Sequence, residues 1–149
     1  MELEKEIKQS LFKSPSSKAV LNIIYTGSWL MGKTVQVLKP YGISAQQYNV
    51  LRILKGRTPD STALSDIQER MLDRMSNATR LVEKLRQKQY VTRVECPGNR
   101  RKVDIHITIT GLSLLADIYD KIDESENEMM KKLSETQIES LNEILDQLR

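Results

Sequence analysis

"TRLVEKLRQKQYVTRVECPGNRRKVDIHI", residues 79–107, sets two periodicities back to back. In its first half Leu81, Val82 and Leu85 recur at helical spacing. In its second half "YVTRVEC" and "KVDIHITI" read as strands joined by a turn of Pro97, Gly98 and Asn99. A helix running straight into a hairpin is the pattern that decides the fold. The hairpin tip also carries Arg100, Arg101 and Lys102 side by side. Like charges crowded on an exposed turn repel one another, so a polyanion outside the chain explains them better than folding does.

Outward from this stretch, the remaining elements read as helices. Leu3, Ile7 and Leu11 recur every four residues and predict a short amphipathic helix, which "KSPSS" interrupts. A long helix is expected over 17–39, stopped by Pro40 and Gly42. Ser44 and Gln47 form a capping box that opens the next helix, and "GRTPDS" is a loop. A short helix is expected over 63–70, a break near Leu72, and then a helix over 74–89. Beyond the hairpin a long helix is expected over 109–133. Ser134 and Gln137 form a second capping box, opening a last helix with the stripe Ile138, Leu141, Leu145 and Leu148. Two adjacent helices followed by a hairpin outline a winged helix-turn-helix. The expected class is mainly α with a small β-hairpin wing.

The composition narrows the function. The chain has 149 residues, of which 39% are hydrophobic and 29% charged, so its core is thin and burial borrowed from a second subunit is expected. The net charge of +3 divides unevenly along the chain. Residues 55–102 hold twelve Lys/Arg against six Asp/Glu, leaving eleven against fourteen elsewhere. A basic middle between more acidic ends suits a central polyanion-binding surface. No apolar run approaches the roughly 18 residues of a membrane span, and "MELEKEIKQS" lacks a signal-peptide core, so a cytoplasmic protein with no membrane contact is expected. One His, one Cys and no Gly-rich loop are poor material for an enzyme.

"LKPYGISAQQYNVLRIL", "MSNATRLVEKLRQKQYVTR" and "NRRKVDIHITITG" resemble, in order, three blocks of the MarR family of bacterial transcription regulators. The resemblance covers essentially the whole chain. That family's wing usually reads Asp-x-Arg and then Leu-Thr-x-x-Gly. Here the corresponding residues are Asn99-Arg100-Arg101 and Ile107-Thr108-Ile109-Thr110-Gly111, with Asn99 in place of the usual Asp. The resemblance implies a winged helix-turn-helix whose terminal helices form a dimerisation base. On that reading residues 1–39 and 110–149 form the helical dimerisation region, and residues 40–109 the DNA-binding lobe. It also implies a homodimer on a pseudo-palindromic double-stranded operator, acting as a repressor modulated by a small aromatic or phenolic effector, with no cofactor. The slight stripes Leu3/Ile7/Leu11 and Ile138/Leu141/Leu145/Leu148 agree, because each needs an apolar surface facing it.

On the helix expected over 74–89, Arg74, Ser76, Asn77, Thr79 and Arg80 can point away from the apolar face. Arg and Asn are the side chains that pair with guanine and adenine edges in the major groove, and Thr can meet a phosphate or a thymine methyl. Ser76 and Asn77 can equally serve to begin the helix. Arg101 is the wing residue expected in the minor groove, with Arg100 and Lys102 on phosphates. Tyr25, Trp29 and Tyr48 are candidates to line an effector cavity, although aromatics at helical spacing also pack cores. Cys96 suits either packing or, near cationic residues, oxidation. His106 has only Asp104 nearby in sequence, so no metal site is expected. The alternative function is a winged-helix protein-interaction module without DNA binding, which predicts an apolar or acidic outer face on the second helix.

Overall fold

In a computed structural model the chain is mostly helical, with one small sheet. The structure describes residues 2–96 and 99–149, with side chains for 2–95 and 103–149. The helices are α1 (Leu3–Glu6), α2 (Pro15–Leu38), α3 (Ala45–Lys55), α4 (Leu64–Arg70), α5 (Ala78–Gln87), α6 (Ile109–Met130) and α7 (Glu135–Gln147). The strands are β1 (Thr62–Ala63), β2 (Val91–Cys96) and β3 (Asn99–Ile107), in antiparallel spatial order β1-β3-β2.

Local chemistry starts and stops these elements. Ser14 Oγ accepts the Ser17 N–H (3.1 Å) and Pro15 takes the first helical position, where a missing N–H costs nothing. A single 3-10 turn over Lys39–Tyr41 ends at Gly42, whose φ of 65° suits a residue without Cβ. Both expected capping boxes are present, Ser44 with Gln47 and Ser134 with Gln137. At the joint between wing and α6, Thr108 Oγ1 accepts the Gly111 N–H (3.0 Å) and donates to the Gln89 carbonyl (2.8 Å). The Thr-x-x-Gly run therefore caps α6 and ties it to the end of α5.

One core joins the lobe to α6. Leu38, Val50, Leu51, Leu54, Ile67, Leu85, Ile105 and Ile118 are almost fully buried within it, contributed by α2, α3, α4, α5, β3 and α6. By contrast α7 buries none of its residues, and Val20, Ile23, Ile24, Met31 and Val35 leave an apolar stripe of α2 exposed.

The sequence-based expectation needs correction at several places. The first helix ends at Glu6, because the backbone turns left-handed at Lys8 (φ 53°), so Leu11 lies beyond it and is exposed. Leu3 is buried, Ile7 half-buried, and Leu141 and Leu148 exposed. The strand β1 has no counterpart in the sequence pattern; it exists because Thr62 and Ala63 pair with Ile105 and Asp104. The second helix of the pair begins at Ala78, so Arg74 and Ser76 lie in the preceding turn. The helix before α7 ends at Met130 rather than near Leu133.

Two substitutions test the joint between α5, wing and α6. A Cβ at Gly111 would overlap the Tyr90 carbonyl and lie 2.8 Å from Ile107 Cγ1. Gly111→Ala is expected to destabilise the fold by about 1–3 kcal/mol in urea denaturation, the usual cost of overpacking. Gln89 is exposed and held at φ 62°, so Gln89→Gly is expected to stabilise by about 0.5–1 kcal/mol in the same measurement.

Candidate nucleic-acid interface

Helix α5 is amphipathic, and the burial of one face fixes what the other presents. Ala78, Val82 and Leu85 are buried in the core, which leaves Thr79 and Arg80 exposed on the opposite side of the first turn. Further along, Arg86 and Glu83 pair through two hydrogen bonds, Nη2 to Oε1 at 2.8 Å and Nε to Oε2 at 3.0 Å. That contact holds the Glu83 carboxyl below its ordinary range and raises Arg86. The one acidic side chain of α5 is thus engaged by Arg86, further along the helix than Arg80.

The start of α5 is built by side chains from three places. Asn77 is the N-cap: its Oδ1 accepts the Arg80 N–H at 2.9 Å. Gln68, on α4, spans the cap, donating from Nε2 to the Ser76 carbonyl (2.8 Å) and accepting the Ala78 N–H at Oε1 (3.0 Å). Asn49, on α3, accepts the Leu72 N–H (2.9 Å) where the chain leaves α4. Within the turn, Asp73 Oδ1 accepts the Met75 N–H (3.0 Å), and Arg74 donates to the Glu69 carbonyl while remaining exposed.

The aromatic candidates fall in two separate cavities. Tyr25 and Trp29 line a cleft of about 910 Å³ between α1, α2 and the end of α6, where Tyr25 donates to Glu6 Oε2 (2.8 Å). Tyr48 lines a smaller cavity of about 160 Å³ with Met31, Asn49, Arg52, Leu72 and Ile122. The Arg52 guanidinium stands 5.8 Å from the centre of the Tyr48 ring, and burial raises the Tyr48 hydroxyl above its ordinary range. The small cavity borders the turn that leads into α5.

The MarR family model matches residues 43–103, from just before α3 into the wing. The HTH-type transcriptional regulator MhqR of Bacillus subtilis is 33% identical over 107 residues, covering 70% of this chain and 71% of the relative. The chain belongs to the MarR family. Among solved structures, the MarR transcription factor of Planctomyces limnophilus superposes with a TM-score of 0.71 at 27% identity, over 91% of this chain and 98% of the other. The MepR–DNA complex of S. aureus superposes with a TM-score of 0.75 at 21% identity, over 92% and 97%. The fold is therefore the MarR winged helix, and the protein is a transcription regulator rather than an enzyme.

Within this MarR lobe, Arg74, Asn77, Thr79 and Arg80 are exposed at or near the start of α5. Ser76 differs from its neighbours: its hydroxyl oxygen is buried and, among the described residues, has no hydrogen-bond partner. The side chains of Cys96, Asn99, Arg100, Arg101 and Lys102, and all of Pro97 and Gly98, lie outside the described residues. Gln68 and Asn49 escaped sequence reading, since a polar residue on a helix carries no local sign that its amide serves another segment. Among the described residues no helix is long and apolar enough to cross a membrane.

Asn77 offers a direct check on how α5 begins. Asn77→Ala is expected to cost about 1 kcal/mol in urea denaturation, the usual loss of an N-cap, with Asn77→Asp retaining most of it.

Proposed function

We propose that this MarR-family regulator works as a homodimer that reads a pseudo-palindromic duplex operator, represses by occupying it, and is modulated by a small aromatic molecule. The observation that carries the DNA-reading part is the exposed first turn of α5, with Thr79 and Arg80 outward, Arg74 beside them and the helix's buried face opposite. A winged module lays this part of the helix in the major groove, where Arg80 reaches guanine O6 and N7 and Thr79 a phosphate or thymine methyl. Asn77 keeps its amide NH₂ for adenine while its oxygen caps the helix. Arg101 enters the minor groove and Arg100 and Lys102 meet phosphates, the roles that their places in the wing motif suggest. A cationic outer face also counts against the alternative of a protein-interaction module.

The dimer is supported by apolar surface that one subunit leaves uncovered. Val20, Ile23, Ile24, Met31 and Val35 on α2, and Leu141, Ile144 and Leu148 on α7, are all exposed. Burying such side chains contributes roughly 1.5–3 kcal/mol each, which a second copy would supply. On this reading residues 1–39 and 110–149 form the dimerisation region and residues 40–109 the reading lobe. Ile138 and Leu145, half-buried on α7, belong to the same face as Leu141 and Leu148. Leu3 and Ile7 support the base from within their own subunit.

The effector reading rests on the cavity around Tyr48. Arg52 supplies a cation for an acidic or phenolic group, Met31 and Ile122 supply apolar walls, and Leu72 and Asp73 bring the approach to α5 into contact with any occupant. An occupant that favours one placement of the reading lobe shifts the separation of the two α5 helices away from one turn of DNA.

Selection of bound sequences from random duplexes tests the reading. On the operator so defined, Arg80→Ala is expected to lose about 1–3 kcal/mol of binding and to relax preference at one position per half-site. Parent-like affinity and preference in this variant would remove α5 from the interface. Sedimentation of the free protein is expected to give a dimer, and a monomer that still binds the operator with full affinity would contradict the paired arrangement.

A further inference from the structure

We infer that Gln68 is a positioning residue for sequence reading: its side-chain amide bridges the N-cap of α5 and sets where the reading helix starts. This rests on the proposal that α5 reads DNA and adds a residue that touches no DNA. The first N–H groups of a helix have no partner inside it. In α5 the Arg80 N–H is taken by Asn77, within the same segment, at 2.9 Å. The Ala78 N–H is taken by Gln68 Oε1 from another helix, at 3.0 Å, while Gln68 Nε2 holds the Ser76 carbonyl at 2.8 Å. Both polar atoms of one amide are thus spent on backbone groups two residues apart, on either side of the cap.

The consequence is directional. An N-cap by itself fixes the local backbone; the buried Ala78, Val82 and Leu85 set the rotation of α5, and a helix capped only by Asn77 keeps freedom to slide along its axis against α4. Gln68 removes that freedom because it is anchored on α4, whose Ile67 is fully buried in the core. Asn49 holds the other end of the same turn from α3, through the Leu72 N–H at 2.9 Å. The turn is therefore tied at both ends by amide side chains from neighbouring helices, and Thr79 and Arg80 follow directly after the second tie. Groups that read base edges need placement to about 0.5 Å, so such a tie governs discrimination more than attraction. Phosphate contacts, which tolerate small displacements and carry no sequence information, are left as they were.

The test uses the full-length protein and two variants. Gln68→Met keeps the length and loses both hydrogen bonds; Gln68→Glu keeps an acceptor for the Ala78 N–H and loses the donor to the Ser76 carbonyl. Affinity is measured for the selected operator and for random-sequence duplex, each across a salt series, with amide exchange followed at Ala78. Gln68→Met is expected to lower operator affinity about tenfold, comparable with losing one base contact, and to leave random-duplex affinity within about twofold. Its salt dependence is expected to match the parent's, because the phosphate contacts are unchanged. Gln68→Glu, which turns a carboxylate oxygen toward the Ser76 carbonyl, is expected to lose operator preference at least as far as Gln68→Met, and exchange at Ala78 to quicken in Gln68→Met. Unchanged operator preference in Gln68→Met, or unchanged exchange at Ala78, would overturn the positioning role. A parent protein with no preference for any duplex would overturn the DNA-reading proposal instead, while the exchange measurement would still judge the clamp.

Discussion

The rotation of α5 about its own axis is the constraint on which the rest of the structure depends. Ala78, Val82 and Leu85 are buried almost completely, so the helix has one rotational setting that keeps its apolar face covered. Turning it would expose three core side chains, at roughly 1.5–3 kcal/mol for each of the larger two. The same setting sends Thr79 and Arg80 outward. Hydrophobic burial thus decides which polar residues face outside the molecule, and the hydrogen bonds at the helix start decide how far along the axis they stand. The joint at the far end completes the frame. Thr108 and Gly111 hold α6 against the Gln89 and Tyr90 carbonyls, so the wing leaves α5 in a fixed direction.

Legibility in the sequence followed the range of the interactions. The two capping boxes could be read directly because Ser44 and Gln47, like Ser134 and Gln137, act within four residues of chain. The helix-to-hairpin transition was legible for the same reason, since each half shows its own period. The strand β1 was not, because a two-residue strand owes its existence to β3, some forty residues away. Sequence pattern alone puts the start of α5 near residue 74, because residues 74–76 contain nothing hostile to a helix. Asn77 at the cap and Gln68 on another helix end that ambiguity, and only the first is visible locally.

The candidate site shows the same division. Helical spacing puts Tyr25 and Trp29 on one face of α2, and they do share a cleft. Tyr48 belongs to α3 and lines a different cavity, a separation that no spacing rule contains. Leu11 continues the four-residue rhythm of Leu3 and Ile7, yet the backbone leaves the helix before reaching it. Ser76 sits among residues that face outward and is itself turned in. Spacing gives the residue types and their period, but not the local turn at Lys8 or the packing that buries the Ser76 hydroxyl and separates Tyr48 from Tyr25 and Trp29.

One core, rather than a flexible linker, holds the long helices against the winged segment. Leu38 at the end of α2 and Leu115, Ile118 and Ile122 on α6 pack with the helices and strands of the winged lobe. The cavity around Tyr48 lies where those layers meet, lined by α2, α3 and α6 and by the turn that leads into α5.

Dimethyl sulfate footprinting of the full-length protein on its selected duplex tests the central claim most directly, since it marks guanine N7 in the major groove and adenine N3 in the minor groove. Two α5 helices in successive major grooves predict two sets of protected guanine N7 atoms, centred about 10 base pairs apart. A bound duplex with every guanine N7 still reactive would contradict the account.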